Sequence, residues 1–519
     1  MKMSDIRIGR KSRRLDLAAS LFAIGALLGS ASSARAASMA CSDLVGLKLP
    51  QAKVTSAEVV KKGAFQWPET SQVPRGFQLD PASLPELCRV AATLTPSDDS
   101  IIRMEVWLPT SEWNGKYHTV GNGGWAGSIQ YRGLIETVKR GYATASTDTG
   151  HTEPGGSWAI GHPEKVKDYG GRAIHETTVK AKAIATAFYG TAPAASFMTG
   201  CSLGGLQAMK AIQDHPEDFD AVVAGSPHFN MTRHNAAQIW ASWLLSRDPE
   251  KLVPKETLGY VHKVVLEQCD GSDKLKDGIV DDPLNCGFKP SSLICKGDVT
   301  PDCLTKKQAE FLQQVYDGPV YQTTGVSINP GPLVGNESTW SFSIPPKPPG
   351  VAVDLFKYLV FEDADWDFSK LDYDRDIVLT EKKVAPVINA QNPDLSAFFN
   401  RGGKLVMYIG SYEHTNYTAH LGYVEKVRKT VGAAKTDESV RVFIVPGMHH
   451  CAGGLGADTF EKLGTIERWH ETGKAPDVID ASHVEDGKVT FTRPLCAHPK
   501  TARYKGSGDP SKAESFACR

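Results

Sequence analysis

One pentapeptide limits what this chain can fold into more than any other feature: Gly200-Cys201-Ser202-Leu203-Gly204. It fits the pattern G-x-S-x-G, and it lies between a buried-strand pattern, Ala195 to Thr199, and a helical pattern from about Gly205 to His215. A strand that reverses directly into a helix brings neighbouring backbone very close, so small residues are needed two before and two after the serine. That turn exposes the serine at the carboxyl edge of a sheet. A further strand, Ala221 to Ala224, completes a βαβ unit and makes the sheet parallel.

The same alternation extends both ways. Upstream, Ile102 to Leu108, Tyr117 to Val120 and Tyr142 to Ser146 read as strands, with a helical stretch before Gly141 and another from Arg172 to Tyr189. Between about Phe229 and Asn389, Pro, Gly, Asp and four cysteines accumulate and the alternation is lost. It returns with a strand at Lys404 to Ile409, a helical stretch through Lys429 and a strand at Val440 to Val445. The expected class is α/β, an α/β-hydrolase fold with a mainly parallel sheet. Residues 37–228 and 390–519 would form the catalytic domain, and residues 229–389 a large inserted lid domain.

Composition narrows the partners. The 519 residues carry 58 Lys plus Arg against 59 Asp plus Glu, so no basic surface points to nucleic acid or to an anionic membrane. A small-molecule partner is expected. The N-terminus places Arg10, Lys11, Arg13 and Arg14 before an apolar run, Leu17 to Leu28, and then Ala34-Arg35-Ala36. This is the layout of a signal peptide spanning residues 1–36, and the apolar run is too short to span a bilayer. Arg13-Arg14 suits the twin-arginine route while Asp16 disfavours it, which leaves the export route open. The expected location is secreted or periplasmic.

All ten cysteines follow residue 36: Cys41, Cys88, Cys201, Cys269, Cys286, Cys295, Cys303, Cys451, Cys496 and Cys518. An even count in an exported chain reads as disulfides. Local spacing suggests Cys269 with Cys286, Cys295 with Cys303, and Cys496 with Cys518.

Ser202 is the expected nucleophile, and the Leu203 N–H, at the start of the following helix, an expected oxyanion donor. The second donor should come from the loop after an earlier strand, Gly121-Asn122-Gly123-Gly124-Trp125, with Gly124 preferred and Gly123 as the alternative. The base should follow a late strand, where Pro446-Gly447-Met448-His449-His450-Cys451 offers two histidines. Cys201 precedes the serine and Cys451 follows His450, so a bridge between them would set Ser202 beside His450. His450 is therefore favoured over His449. The loop after Lys404 to Ile409, Gly410-Ser411-Tyr412-Glu413-His414, has no aspartate, and Glu413 is its only acid. It is the candidate third member. A metal-dependent hydrolase finds no support, since there is no H-E-x-x-H or comparable cluster.

Within the inserted segment, Asp270, Asp273 and Asp277 alternate along a glycine-containing loop in which Leu275 and Ile279 could add backbone carbonyls. Hard oxygen donors without imidazole or thiolate point to a structural Ca2+ ion. Trp340, Phe342 and Trp366 could stack on an aromatic ring, although packing is the simpler role for each.

These residues together resemble the tannase and feruloyl esterase family of α/β-hydrolases, which also contains mono(2-hydroxyethyl) terephthalate hydrolase. The similarity runs from about Cys41 to Cys518, and its specific element is Cys-Ser and His-Cys joined by a disulfide, matched by Cys201-Ser202 and His450-Cys451. The resemblance implies a calcium loop at Asp270, Asp273, Leu275, Asp277 and Ile279. It also implies the pairings Cys41 with Cys88, Cys201 with Cys451, Cys269 with Cys286, Cys295 with Cys303, and Cys496 with Cys518. Glu413 departs from the family's usual aspartate. The resulting expectation is a secreted serine carboxylic ester hydrolase that cleaves aromatic acyl esters of the feruloyl or galloyl type through an acyl-enzyme. The alternatives are terephthalate monoesters or other aryl and alkyl esters, or an exported binding protein with weakened catalysis.

Overall fold

In the computed structural model, which describes residues 38–68, 80–413 and 416–519, nine strands share one sheet. They are β1 (Ala52–Val60), β2 (Leu87–Leu94), β3 (Ile102–Pro109), β4 (Lys116–Val120), β5 (Ala143–Thr147), β6 (Ala195–Cys201), β7 (Ala221–Gly225), β8 (Lys404–Gly410) and β9 (Val440–Val445). Their order is β1-β2-β3-β5-β4-β6-β7-β8-β9. The first four strands in that order pair antiparallel, and from β5 onward every pairing is parallel. This is the α/β-hydrolase architecture. The expected signal peptide lies outside the described residues.

Alternation along the central strands sorts side chains to two faces. Phe197, Val223 and Val406 pack on one side with Ile466 and Trp469 of the helix Leu463–Thr472. Met198, Val222 and Met407 pack on the other, with Leu206 and Met209 of the helix Leu203–Asp214. Strands covered on both faces expose nothing to solvent, and β5, β7 and β8 are buried at every position. The expected strands fall within one or two residues of those observed. The structure adds β1, β2 and a C-terminal hairpin, β11 (Val478–Glu485) with β12 (Lys488–Cys496), to those expected; the two-residue β10 (Thr459–Phe460) pairs with β11. β1 buries one residue of nine, which leaves little periodic signal.

The crossover of β4 between β5 and β6 positions the site. Val120 pairs with Thr199, so the loop after β4 emerges beside the turn after β6. In that turn Ser202 has φ 62° and ψ −119°, a left-handed conformation that costs about 1–3 kcal/mol for a residue with a Cβ. A Cβ on Gly200 would lie 2.5 Å from the Gly204 carbonyl, and one on Gly204 would lie 2.9 Å from the Asn122 carbonyl oxygen. Both glycines are thus required by close approach of backbone.

The connection from β7 to β8 occupies residues 226–403 and contains the helices Met231–Arg247, Lys255–Cys269 and Lys306–Asp317. It is fastened to the sheet's edge, with Val280 N–H donating to Tyr412 Oη at 3.0 Å and Asn336 Nδ2 donating to the Tyr412 carbonyl at 3.0 Å. All ten cysteines are bridged, as Cys41–Cys88, Cys201–Cys451, Cys269–Cys286, Cys295–Cys303 and Cys496–Cys518, the set implied by the family resemblance. The Cys41–Cys88 bridge ties the turn that precedes β1 to the buried second residue of β2, so it staples the antiparallel edge of the sheet. Among the described residues, no helix is long and apolar enough to cross a membrane.

The tightness of the serine turn can be measured. Gly204→Ala should cost about 1–3 kcal/mol of stability, read as a lower urea midpoint at an unchanged m-value. Gly259→Ala, inside the helix Lys255–Cys269 where a Cβ meets nothing within 4 Å, should be neutral or stabilising by about 0.5–1 kcal/mol.

Candidate active site

Four consecutive strands deliver their following loops to one carboxyl edge. Ser202 follows β6, Ser226 follows β7, Glu413 follows β8 and His450 follows β9. Ser202 N–H donates to the Gly225 carbonyl at 3.0 Å, which ties the serine turn to the end of β7. The Cys201–Cys451 disulfide bridges the residue before the serine to the residue after His450, across 250 positions of sequence.

Glu413 Oε2 lies 2.7 Å from His450 Nδ1. The carboxylate can only accept, so the ring proton sits on Nδ1 and the lone pair on Nε2. Burial pushes the Glu413 carboxyl up, but the hydrogen bond and charge of His450, helped by the neighbouring Ser226 hydroxyl and His420, outweigh it and hold the group below the ordinary glutamate range. The acid is 3% exposed at its side chain and the histidine 25%. His228 stacks on His450, with ring centroids 4.8 Å apart and planes 23° from parallel. His420 Nε2 meets the Pro227 carbonyl at 3.0 Å, and burial lowers the pKa of that ring.

Ser202 and His450 line the same cavity, of about 320 Å³, together with Gly124 and Leu203. The structure therefore brings together Ser202, His450, Gly124 and Leu203, with Glu413 behind the histidine. His449 does not line this cavity, and neither does Gly123. Leu203 opens its helix, so its N–H has no intrahelical acceptor. The loop of Gly124 is fixed from several sides: Asn122 N–H donates to Gln207 Oε1 at 2.9 Å, Asn122 Nδ2 to the Thr147 carbonyl at 2.8 Å, and Tyr169 Oη to the Gly124 carbonyl at 3.0 Å. Held in this way, Gly124 borders the cavity beside Ser202.

Tyr169, Leu206 and His228 add to the lining, and the inserted segment contributes Met231, Asn235, Gln238, Pro349 and Val351. Among the described residues, Asn235 Nδ2 and Gln238 Oε1 are buried without a hydrogen-bond partner. Trp340 and Phe342 line a smaller cavity, of about 140 Å³, that Gln238 and Glu413 also border. Trp366 is buried and stacks on Phe356 and Phe361, a packing role.

The acidic loop of the inserted segment is stapled by Cys269–Cys286. Leu275 N–H donates to Asp273 Oδ1 at 2.8 Å, Ile279 N–H to Asp277 Oδ1 at 3.3 Å and Gly278 N–H to Asp270 Oδ2 at 2.9 Å. Asp281, which sequence reasoning missed, belongs to the cluster: burial and the charges of Asp273 and Asp277 push its carboxyl well up. Burial also raises Asp273 and Asp270, each with a contribution from Asp277. Arg493 pairs with the cluster, 3.1 Å from Asp277 Oδ2, and among the described residues Asp270 Oδ1 is buried without a partner. An undercompensated, oxygen-only donor set of this kind fits a hard divalent cation.

Sequence reasoning also missed Ser226, His228, Asn235 and Gln238. Gly225-Ser226-Pro227-His228 follows a strand at the sheet's carboxyl end, and that position was the available signal. Asn235 and Gln238 sit on a helix in the inserted segment, and nothing in the sequence marks which of its faces meets the serine.

Residues 88–519 match the family described as Tannase and feruloyl esterase. A relative from Xanthomonas campestris pv. campestris, named as an uncharacterized esterase, is 36% identical, over 96% of this chain and 93% of its own length. A protein of Aspergillus flavus named probable feruloyl esterase B-1 is 32% identical, over 83% of this chain and 86% of its own. Among solved structures, feruloyl esterase B from Aspergillus oryzae superposes with a TM-score of 0.84 at 28% identity, covering 92% of this chain and all of that one.

The lowered Glu413 pKa has a consequence for acid stability. A carboxyl whose folded pKa is depressed contributes stability that is fully present above its unfolded value of about 4.3 and is lost as pH falls through the folded value. Between pH 6 and pH 3, wild type should therefore lose more unfolding free energy than Glu413→Gln, as read from denaturant titrations at each pH. Equal losses would show that the carboxylate is not stabilised by its partners.

Proposed function

The chain belongs to the tannase and feruloyl esterase family and is a carboxylic ester hydrolase, and from that premise we propose that it cleaves aromatic acyl esters through an acyl-enzyme formed on Ser202. The observation that carries this reading is the Glu413–His450 hydrogen bond behind a cavity that His450 shares with a strained Ser202. Ser202 Oγ attacks the ester carbonyl carbon while His450 Nε2 takes its proton. The carbonyl oxygen becomes an oxyanion facing the N–H groups of Leu203 and Gly124. As the tetrahedral intermediate collapses, the imidazolium gives its proton to the departing alcohol and the acyl group stays on Ser202. Water, deprotonated by His450, then releases the acid. Throughout, the buried Glu413 carboxylate stabilises the imidazolium and keeps the ring in one tautomer.

The walls support an aromatic, hydroxylated acyl group. A cavity of about 320 Å³ lined by Met231, Pro349 and Val351 suits a ring, and the unpaired Asn235 donor and Gln238 acceptor suit ring hydroxyls such as those of hydroxycinnamates or gallates. Residues 229–389 act in this reading as the lid that supplies substrate recognition. The four aspartates Asp270, Asp273, Asp277 and Asp281, with the carbonyls of Leu275 and Ile279, would hold a structural Ca2+ ion whose charge offsets theirs. Export after removal of residues 1–36 accords with five disulfides, which persist in oxidising compartments.

Two measurements test these proposals. On a panel of methyl ferulate, methyl gallate, a terephthalate monoester and a short nitrophenyl ester, wild type should favour the first two. Ser202→Ala should abolish turnover, and Glu413→Gln should lower kcat by about 10⁴-fold, the scale seen when a triad acid loses its charge. Activity that survives Ser202→Ala would overturn the mechanism, and a preference for the terephthalate ester would overturn the substrate class. For the metal, chelation should lower the melting temperature and added calcium should restore it, a response that Asp281→Asn should blunt.

A further inference from the structure

Two histidines meet far from Ser202, where the helix Ala173–Tyr189 begins and the helix Leu203–Asp214 ends. His175 lies in the first turn of the former, and His215 caps the latter. Their rings stack with centroids 3.6 Å apart and planes 14° from parallel. A ring nitrogen of each and a carboxylate oxygen of Glu217 all lie within 4.8 Å of one another. His215 is at the other end of the helix that Ser202 precedes, about 18 Å along its axis at 1.5 Å per residue.

Asp218 fixes the ring of His175, and a shared ion requires the more exposed His215 ring to turn out of the stack so that its lone pair lies in plane with the ion. Asp218, 3% exposed at its side chain, stands 2.8 Å from His175 Nδ1. A carboxylate accepting from Nδ1–H leaves the lone pair on Nε2, the arrangement that sets the tautomer of metal-binding imidazoles. Asp218 N–H also donates to the His215 carbonyl at 3.0 Å, so one turn carries both His215 and the partner of His175. The rings border an open cavity of about 590 Å³ in which Arg172 is already paired with Glu164 and Asp168, and Lys210 with Asp214. Glu217 is exposed, and His215 Nδ1 lies 4.0 Å from it.

We propose that His175, His215 and Glu217 form a surface site for a divalent transition metal of the zinc class, with water completing the shell, that ties the two helix ends together. Two imidazoles and one carboxylate are borderline donors that suit zinc, cobalt, nickel or copper and not calcium. The site is separate from the ester-cleaving cavity, so its occupancy changes stability and leaves turnover unchanged.

Zinc titration by calorimetry of the purified, calcium-saturated esterase tests this. Wild type should bind one zinc ion, and His215→Gln and Glu217→Gln should each weaken binding by about tenfold or more. Glu217 is exposed, so its variant keeps the fold and the comparison stays interpretable. Zinc should raise the melting temperature of wild type and leave that of His215→Gln unmoved, with equal hydrolysis rates. The proposal is overturned by an absence of zinc binding or by equal binding in wild type and both variants. It is also overturned if zinc inhibits turnover equally in all three, which would assign the ion to the ester-cleaving cavity, where His228 stacks on His450.

Discussion

The Cys201–Cys451 bridge is the constraint on which the site depends. It joins the last residue of β6 to the loop after β9, strands separated in the sheet by β7 and β8, at the residues adjoining Ser202 and His450. In the chain-entropy treatment, closing a loop of this length removes about 5 kcal/mol of denatured-state freedom. Its local effect is geometric. Ser202 is held in a left-handed conformation by the strand and helix on either side, whereas His450 sits in an irregular loop with a partly exposed side chain. A covalent bond anchors that loop to the rigid turn, and the Glu413 hydrogen bond sets the ring's orientation once the backbone is in place.

Two sets of buried carboxylates show how partners decide the outcome of the same desolvation. Glu413 is as buried as Asp273, yet the Glu413 pKa is lowered and the Asp273 pKa raised. Glu413 faces an imidazole that can be charged and that donates to it. Asp273 faces Asp277 and Asp281, with Arg493 set against several acids. The first carboxylate is stabilised within the protein and needs nothing more. The second group is stable as ions only if positive charge arrives from outside, the physical basis for reading the stapled loop as a cation site.

What could be read from the sequence was whatever depended on short-range rules. The serine turn was legible because glycine spacing and the change from period 2 to period 3.6 coincide at Ser202. The disulfides Cys269–Cys286, Cys295–Cys303 and Cys496–Cys518 were legible because they close short loops. Cys41–Cys88 spans 47 positions, so spacing could not single it out and the family resemblance alone implied it. Glu413 was legible by elimination, as the one acid in its loop. Asn235, Gln238 and Asp281 were not, because their roles depend on how residues 226–403 fold back over the sheet edge, and no local pattern encodes that long-range packing. β1 escaped for a related reason: a strand at the edge of a sheet is largely exposed, and its identity comes from its neighbour and not from its own composition.

The contact between Glu413 and His450 rests on how closely the loops after β8 and β9 are laced. Ser411 N–H donates to the Val445 carbonyl at 2.9 Å, Tyr412 N–H to the Met448 carbonyl at 3.1 Å, and Gly447 N–H to Ser411 Oγ at 2.9 Å. A Cβ on Gly410 would lie 2.2 Å from the Met448 carbonyl oxygen, so glycine there is what lets the two loops approach. This lacing fixes the backbone of residues 411–413 against the histidine loop. From that fixed backbone the Glu413 side chain reaches His450 Nδ1 at 2.7 Å. Its burial among Ser226, His420 and His450 limits the rotamer freedom of a side chain this long.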